Sequence, residues 1–288
     1  MKNRIASRAK CLLLIAIAAG NAFAQQQQRR PTPPASVRLY VFDCGVIKGL
    51  GPALFGFKKE DLATTDLAVP CYLVADPKGT LMWDVGVIPD TAFKTDNETV
   101  TQGVSTATRT LRSQLAQIGY SPADITYLAV SHYHSDHVAN CNEFASSTWL
   151  VRSAERDAMF AAKPPPLVNP AVYSELKTSK TVLLTTDEYD VFGDRKVIIK
   201  SAPGHTPGHQ VLIVKLANAG TIVVAGDLYH FQQERGTNIV PTFEYNKEQS
   251  LASRAMIEEY VKKNGAQLWI EHDYMGNAKL KKSPDYYD

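Results

Sequence analysis

Cysteine is scarce in this 288-residue chain: four are present, and only Cys44, Cys71 and Cys141 lie beyond the first 24 positions. An odd set of three excludes a complete disulfide framework as the basis of the fold. Cys44 and Cys71 sit at the edges of expected strands and either pair or remain separate buried thiols, in a compartment that would permit one bridge. A basic excess is also missing. The formal charge of +2 includes Lys2, Arg4, Arg8 and Lys10, and removing those four from the 31 basic residues leaves 27 against 29 acidic ones. That balance argues against nucleic acid as a partner. Beyond the N-terminus no window is long and apolar enough for a membrane-spanning helix, and no repeat or composition break divides the chain. With 44% hydrophobic and 21% charged residues, composition is that of a globular domain with ample material for a core.

The first 24 residues have the three parts of a secretory leader. A basic stretch precedes the apolar run Cys11 to Ala19, and Ala22-Phe23-Ala24 supplies a small-x-small cleavage site. The run is too short to span a bilayer. Export to the periplasm or medium is therefore expected, with no stable membrane insertion once residues 1–24 are removed. Residues 25–36, QQQQRRPTPPAS, read as a disordered or extended tether. Residues 37–288 read as one domain.

Within that domain the pattern is mixed α and β. Strands are expected at Val37–Phe42, Cys71–Ala75, Thr80–Trp83, Ile125–Val130, Thr148–Val151, Thr181–Leu184, Val197–Lys200, Gln210–Leu216, Thr221–Ala225 and Leu268–Ile270. Helices are expected at 105–118, Ser153–Phe160 and Lys247–Lys263. Ala107, Leu111, Leu115 and Ile118 recur at helical spacing in the first of these. Residues 45–68 form an irregular segment carrying Ile47, Leu50, Leu54, Phe55 and Phe57, and residues 163–170 are a Pro-rich loop.

The histidines concentrate the chemistry. Three of seven fall in the hexapeptide His132-Tyr133-His134-Ser135-Asp136-His137, directly after an apolar strand. In extended chain, positions i and i+2 face the same way, so His132 and His134 can grip one cation. Asp136 and His137, after a turn, serve a neighbouring position. Imidazole and carboxylate together suit Zn²⁺ and similar borderline metals. His205 and His209 lie in Pro203-Gly204-His205-Thr206-Pro207-Gly208-His209, while Asp227 and His272 each follow an apolar strand.

These motifs resemble the metallo-β-lactamase superfamily over roughly Val37 to Gly276. The resemblance implies an α/β fold of the αββα sandwich type, two mixed sheets flanked by helices. It implies that His132, His134 and His205 hold one metal, that Asp136, His137 and His272 hold a second, and that Asp227 bridges them. His209 matches a buried supporting histidine. Two Zn²⁺ ions are the default, with Mn, Fe or Co as alternatives. Within the superfamily, the opening strand from Val37 to Gly45 and the segments Pro70–Val74 and Trp83–Gly86 resemble the N-acyl-homoserine lactonases, and residues 45–68 stand where those enzymes cover an acyl chain. One position departs from them. A Tyr often stands three residues after the bridging Asp in those enzymes and contacts substrate; here it is His230, with Tyr229 adjacent.

The implied activity is opening of the lactone ring by a hydroxide shared between two metals, in an exported enzyme. Asp136 and Asp227 are the catalytic carboxylates, and Tyr229 or His230 is the extra donor to the substrate carbonyl. Phe231, Phe243 and Tyr245 join Tyr229 as aromatics for a pocket wall. The alternatives are a β-lactam, ester or thioester hydrolase on the same site, or a non-catalytic zinc-binding protein. The expected partner is a small lactone or similar molecule, and a homodimer is left open.

Overall fold

A computed structural model describes residues 31–288. The leader and the start of the tether lie outside the described residues. Of the rest of the tether, Pro34 is buried, and Pro31, Pro33 and Pro34 line a groove beside the turn at Asp76–Gly79.

Two mixed sheets stack face to face. The first contains β1 (Arg38–Ile47), β2 (Leu67–Asp76), β3 (Gly79–Trp83), β4 (Val100–Gln102), β5 (Ser105–Ala107), β6 (Tyr127–Ala129), β7 (Thr148–Val151) and β8 (Thr181–Leu183). Their spatial order is β4-β5-β1-β2-β3-β6-β7-β8. The second contains β9 (Glu188–Asp190), β10 (Val197–Ser201), β11 (Gln210–Leu216), β12 (Gly220–Val224) and β13 (Gln267–Trp269), ordered β13-β12-β11-β10-β9. A last strand, β14 (Tyr286–Tyr287), returns to pair with β1 in the first sheet. The helices are α1 (Leu111–Gln117), α2 (Ser135–Val138), α3 (Ser153–Met159), α4 (Lys247–Asn264) and α5 (Tyr274–Asn277).

Strand alternation explains the layers. Leu39 and Val41 of β1 point between the sheets, where they meet Val197, Ile199, Leu212 and Val214. Tyr40 and Phe42 point to the other face, toward Leu111 and Leu115 of α1. On the far side of the second sheet, Ile198, Val211, Ile213 and Val223 receive Ile257 of α4. Both faces of each sheet are thus covered, which is why the central strands read as continuous apolar runs rather than alternating ones. This is the αββα arrangement expected from the resemblance.

Two local readings need correction. Residues 105–118 are not one helix: 105–107 pair as β5 with β1 and β4, and α1 begins only at Leu111. The Thr110 hydroxyl caps that helix, accepting the Ser113 N–H at 3.1 Å, while buried Asp90 accepts the N–H groups of Leu111 and Arg112 at 2.8 Å each. The opening strand is longer than expected, running to Ile47 through an irregularity between Asp43 and Val46. Cys44 and Cys71 form a disulfide, and Cys141 is a buried free thiol. Among the described residues, no helix is long and apolar enough to cross a membrane.

Candidate metal centre

All seven histidines are buried and converge at one edge of the sandwich. Strand β6 delivers the first group. It is held in the sheet by parallel pairing with β3 and β7 and ends beside Asp84. The Asp84 carboxylate accepts the Ser131 N–H at 2.6 Å and the Ser131 hydroxyl at 2.8 Å, which fixes where the chain leaves the strand. Asp84 is fully buried and holds φ at +52°, a left-handed conformation uncommon for a residue with a side chain and of the kind concentrated at functional sites.

Backbone at His134 is extended, so His132 and His134 project to the same side, as their i, i+2 spacing requires. His132 Nε2 lies 2.9 Å from His134 Nδ1, and His205 Nε2 lies 3.0 Å from the same nitrogen. His205 arrives from the loop between β10 and β11. Glu244 Oε2 stands 3.3 Å behind it, at Nδ1. Helix α2 carries Asp136 and His137, and His272 follows β13. His137 Nε2 and His272 Nε2 are 3.3 Å apart, with Asp136 Oδ2 at 3.7 and 3.3 Å from them.

Asp227, at the end of β12, divides its carboxylate between the two groups. Its Oδ2 faces His132 Nε2 at 3.6 Å and His205 Nε2 at 3.3 Å. Its Oδ1 faces His137 Nε2 at 3.1 Å and His272 Nε2 at 3.0 Å. Burial alone would raise the Asp227 pKa; with the surrounding imidazoles protonated, His272 and His137 foremost, it falls well below the usual range.

The donor set fits divalent metal. The outer nitrogens are already engaged: His137 Nδ1 with Asp84 at 2.9 Å, His272 Nδ1 with the Ala68 carbonyl at 2.7 Å, and His132 Nδ1 near the Ser131 hydroxyl at 3.0 Å. That leaves the inner nitrogens as lone-pair donors, the usual support for metal-ligating imidazoles. Asp227 Oδ1 is buried without a hydrogen-bond partner. A cluster of inward-facing lone pairs and a bare carboxylate oxygen is costly unless a cation joins them. His132, His134, His205 and Asp227 form one such group, and Asp136, His137 and His272 another.

The remaining candidates separate. His209 donates from Nδ1 to the Ala202 carbonyl at 2.9 Å and accepts the Asp227 N–H at Nε2, 3.0 Å away. Burial draws its pKa down to about 3, so the ring is neutral and orients Asp227 through the backbone. His230 enters the centre, with Nε2 3.1 Å from Asp227 Oδ2 and its ring stacked on His272 at 5.5 Å between centroids. Tyr229 does not. The chain is extended there, so its side chain points away from that of His230. Its hydroxyl donates to Glu258 at 3.2 Å, its ring lies under Arg254, and its pKa is raised by burial. The expectation that Tyr229 could serve the substrate carbonyl is corrected on this geometry.

A cavity of about 430 Å³ opens over the centre, and His134, Asp136, Asp227, His230 and His272 line its floor. Ile47, Leu50, Leu54, Phe55 and Leu67 from residues 45–68 form one wall, with Phe243 beside them and Leu167 of the Pro-rich loop opposite. Phe57 packs behind Phe55 in a small cluster with Phe231. Tyr245 is exposed and does not line the cavity. Among the described residues, no Lys or Arg lines it. Asp84, Glu155, Glu234, Glu244 and Glu271 are supporting acids that the sequence did not single out; isolated carboxylates carry no spacing signal.

Comparison with known proteins agrees with this geometry. The family model of the metallo-β-lactamase superfamily matches residues 64–260. An N-acyl homoserine lactonase from a Bacillus species is 28% identical over 232 residues, 77% of this chain and 87% of that protein. The N-acyl homoserine lactonase AttM of Azorhizobium caulinodans is 26% identical over 266 residues, 88% of this chain and 99% of its own. A solved N-acyl homoserine lactone hydrolase, with the product N-hexanoyl-L-homoserine bound at its catalytic metal center, superposes with a TM-score of 0.70 at 23% identity, covering 87% of this chain and 99% of that one. This chain belongs to the metallo-β-lactamase superfamily.

Proposed function

We propose that the protein is a metal-dependent hydrolase that opens the lactone ring of N-acyl-homoserine lactones. The observation that carries this reading is the cavity: apolar walls without Lys or Arg, opening directly over the His/Asp centre. A neutral acyl chain finds apolar partners there. A β-lactam carboxylate or a phosphodiester finds no Lys or Arg there.

His132, His134 and His205 would hold one ion and Asp136, His137 and His272 the other, with Asp227 between them; zinc is the default for this donor set. When bound, the pair supplies a water of lowered pKa and Lewis-acid stabilisation of an oxyanion. The protein's own groups do the rest. The apolar wall orients the acyl chain and excludes water from the ring. His230, on the cavity floor, turns its Nε2–H from Asp227 Oδ2 toward the carbonyl oxygen as charge develops there. Asp136, also on the floor, accepts a proton from the attacking water and returns it to the ring oxygen as the C–O bond breaks. Export is proposed on the leader sequence, and the Cys44–Cys71 disulfide supports an oxidising destination.

The test compares kcat/KM of the zinc-loaded protein for long-chain acyl-homoserine lactones and for a chromogenic cephalosporin. A large preference for the lactones is expected. A preference for the cephalosporin, or inactivity on both with two metals bound, would remove the lactonase assignment. Asp227→Asn is expected to lose most turnover, and full activity in a correctly metallated variant would overturn the bridging role.

A further inference from the structure

Glu155 takes no part in the chemistry above and lies outside every histidine motif. It sits in the first turn of α3, 1% exposed. Its Oε1 accepts the N–H of Tyr133 at 2.8 Å. Its Oε2 accepts the N–H of Gly208 at 2.8 Å. The Thr206 hydroxyl spans both oxygens, at 3.0 and 2.8 Å. These three donors offset part of the cost of burying the carboxyl group.

The donors are not arbitrary. Tyr133 lies between His132 and His134, and Thr206 follows His205. One loop leaves β6 in the first sheet and the other joins β10 to β11 in the second. One buried side chain therefore ties together the backbones that present all three histidines of the first group. The approach is close enough to need glycine: a Cβ on Gly208 would meet the Cβ and the backbone nitrogen of Glu155 at 2.6 Å. The supports behind the second group do not involve Glu155: Asp84 stands behind His137 and the Ala68 carbonyl behind His272.

We propose that Glu155 is the positioning residue of the first metal site, holding the His132–His134 loop and the His205 loop in register so that their three nitrogens converge. The inference rests on the metal centre proposed above. It predicts a defect confined to one of two sites, which loss of a purely structural contact would not produce.

The experiment titrates zinc into the metal-free full protein against a chromogenic chelator, with His205→Ala and His272→Ala marking the first and second sites. Glu155→Ala is expected to weaken the first site about 10- to 100-fold and leave the second unchanged, the size typical of losing a group that orients metal ligands. Glu155→Gln, which keeps one acceptor oxygen, should fall between it and the parent. Thr206→Val removes one donor and keeps the carboxylate; a smaller loss at the same site is expected, which keeps the test decisive if Glu155→Ala does not fold. Equal weakening at both sites, or none at either, would overturn the inference. If the parent binds two zinc ions and opens lactones while Thr206→Val and Glu155→Gln bind as it does, only this inference falls. A parent that binds neither zinc nor Mn, Fe or Co overturns both this and the proposed function.

Discussion

Tyr229 and His230 are neighbours in sequence with opposite surroundings. Tyr229→Phe removes a hydrogen bond to the half-exposed Glu258 and should leave kcat/KM for lactones unchanged while costing about 1 kcal/mol in chemical denaturation. His230→Ala should lower kcat about 100-fold with a smaller change in KM, as expected for a group that acts on charge developing in the reaction. Steady-state kinetics on the two variants decide the assignment, and reversed effects would return Tyr229 to the site. The sequence could not choose between these residues, because the choice depends on which face an extended residue presents after β12. The metal-ligand candidates were legible for the opposite reason. Ligands that share an ion cluster at short spacings and at strand ends, whereas Glu155 and Asp84 act through backbone N–H groups distant in sequence and leave no local trace.

At the scale of elements, the junction between α4 and the His205 loop shows how secondary structure places chemistry. Asn246 caps the helix, its side chain accepting the Gln249 N–H at 3.0 Å, and its own N–H donates to the Gly204 carbonyl at 2.8 Å. The Ser253 hydroxyl donates to the Pro203 carbonyl at 2.7 Å. Gly204 holds φ at +139°, and a Cβ there would lie 2.2 Å from the Ser250 nitrogen and 2.5 Å from its Cα. Gly204→Ala must move the helix or the loop. A destabilisation of about 1–3 kcal/mol is expected, together with weaker zinc binding at the His205 site, measured by thermal unfolding with and without metal. Element types were largely legible here: Thr148–Val151 and Gln210–Leu216 match their expected bounds, and α4 differs by one residue. The failure at 105–118 is instructive. Apolar spacing there fits a helix, but pairing with β1 and β4 captures 105–107, and local periodicity carries no information about a strand edge waiting elsewhere in the fold. Membership of the strands in one sheet or the other was likewise not readable from pattern alone; it came with the family resemblance.

At the scale of the molecule, the Cys44–Cys71 bridge closes a loop across β1 and β2 over a separation of 27 residues. Removing it as Cys44→Ala/Cys71→Ala should cost about 3–4 kcal/mol by the loop-entropy relation, read as a lowered denaturation midpoint that reductant no longer shifts. The centre itself is shared between the two ends of the chain. His132, His134, Asp136 and His137 precede residue 200, while His205, Asp227 and His272 follow it, and each ligand group draws on both sets. Saturating a site at 1,000 times its dissociation constant adds about 4 kcal/mol to stability, so chelation should lower the melting temperature and zinc restore it. A nascent chain that has not yet reached His205 owns neither complete ligand group. Neither group can hold its metal before those later residues emerge, so a chain exported unfolded, as proposed above, would draw its metal from the compartment where it arrives.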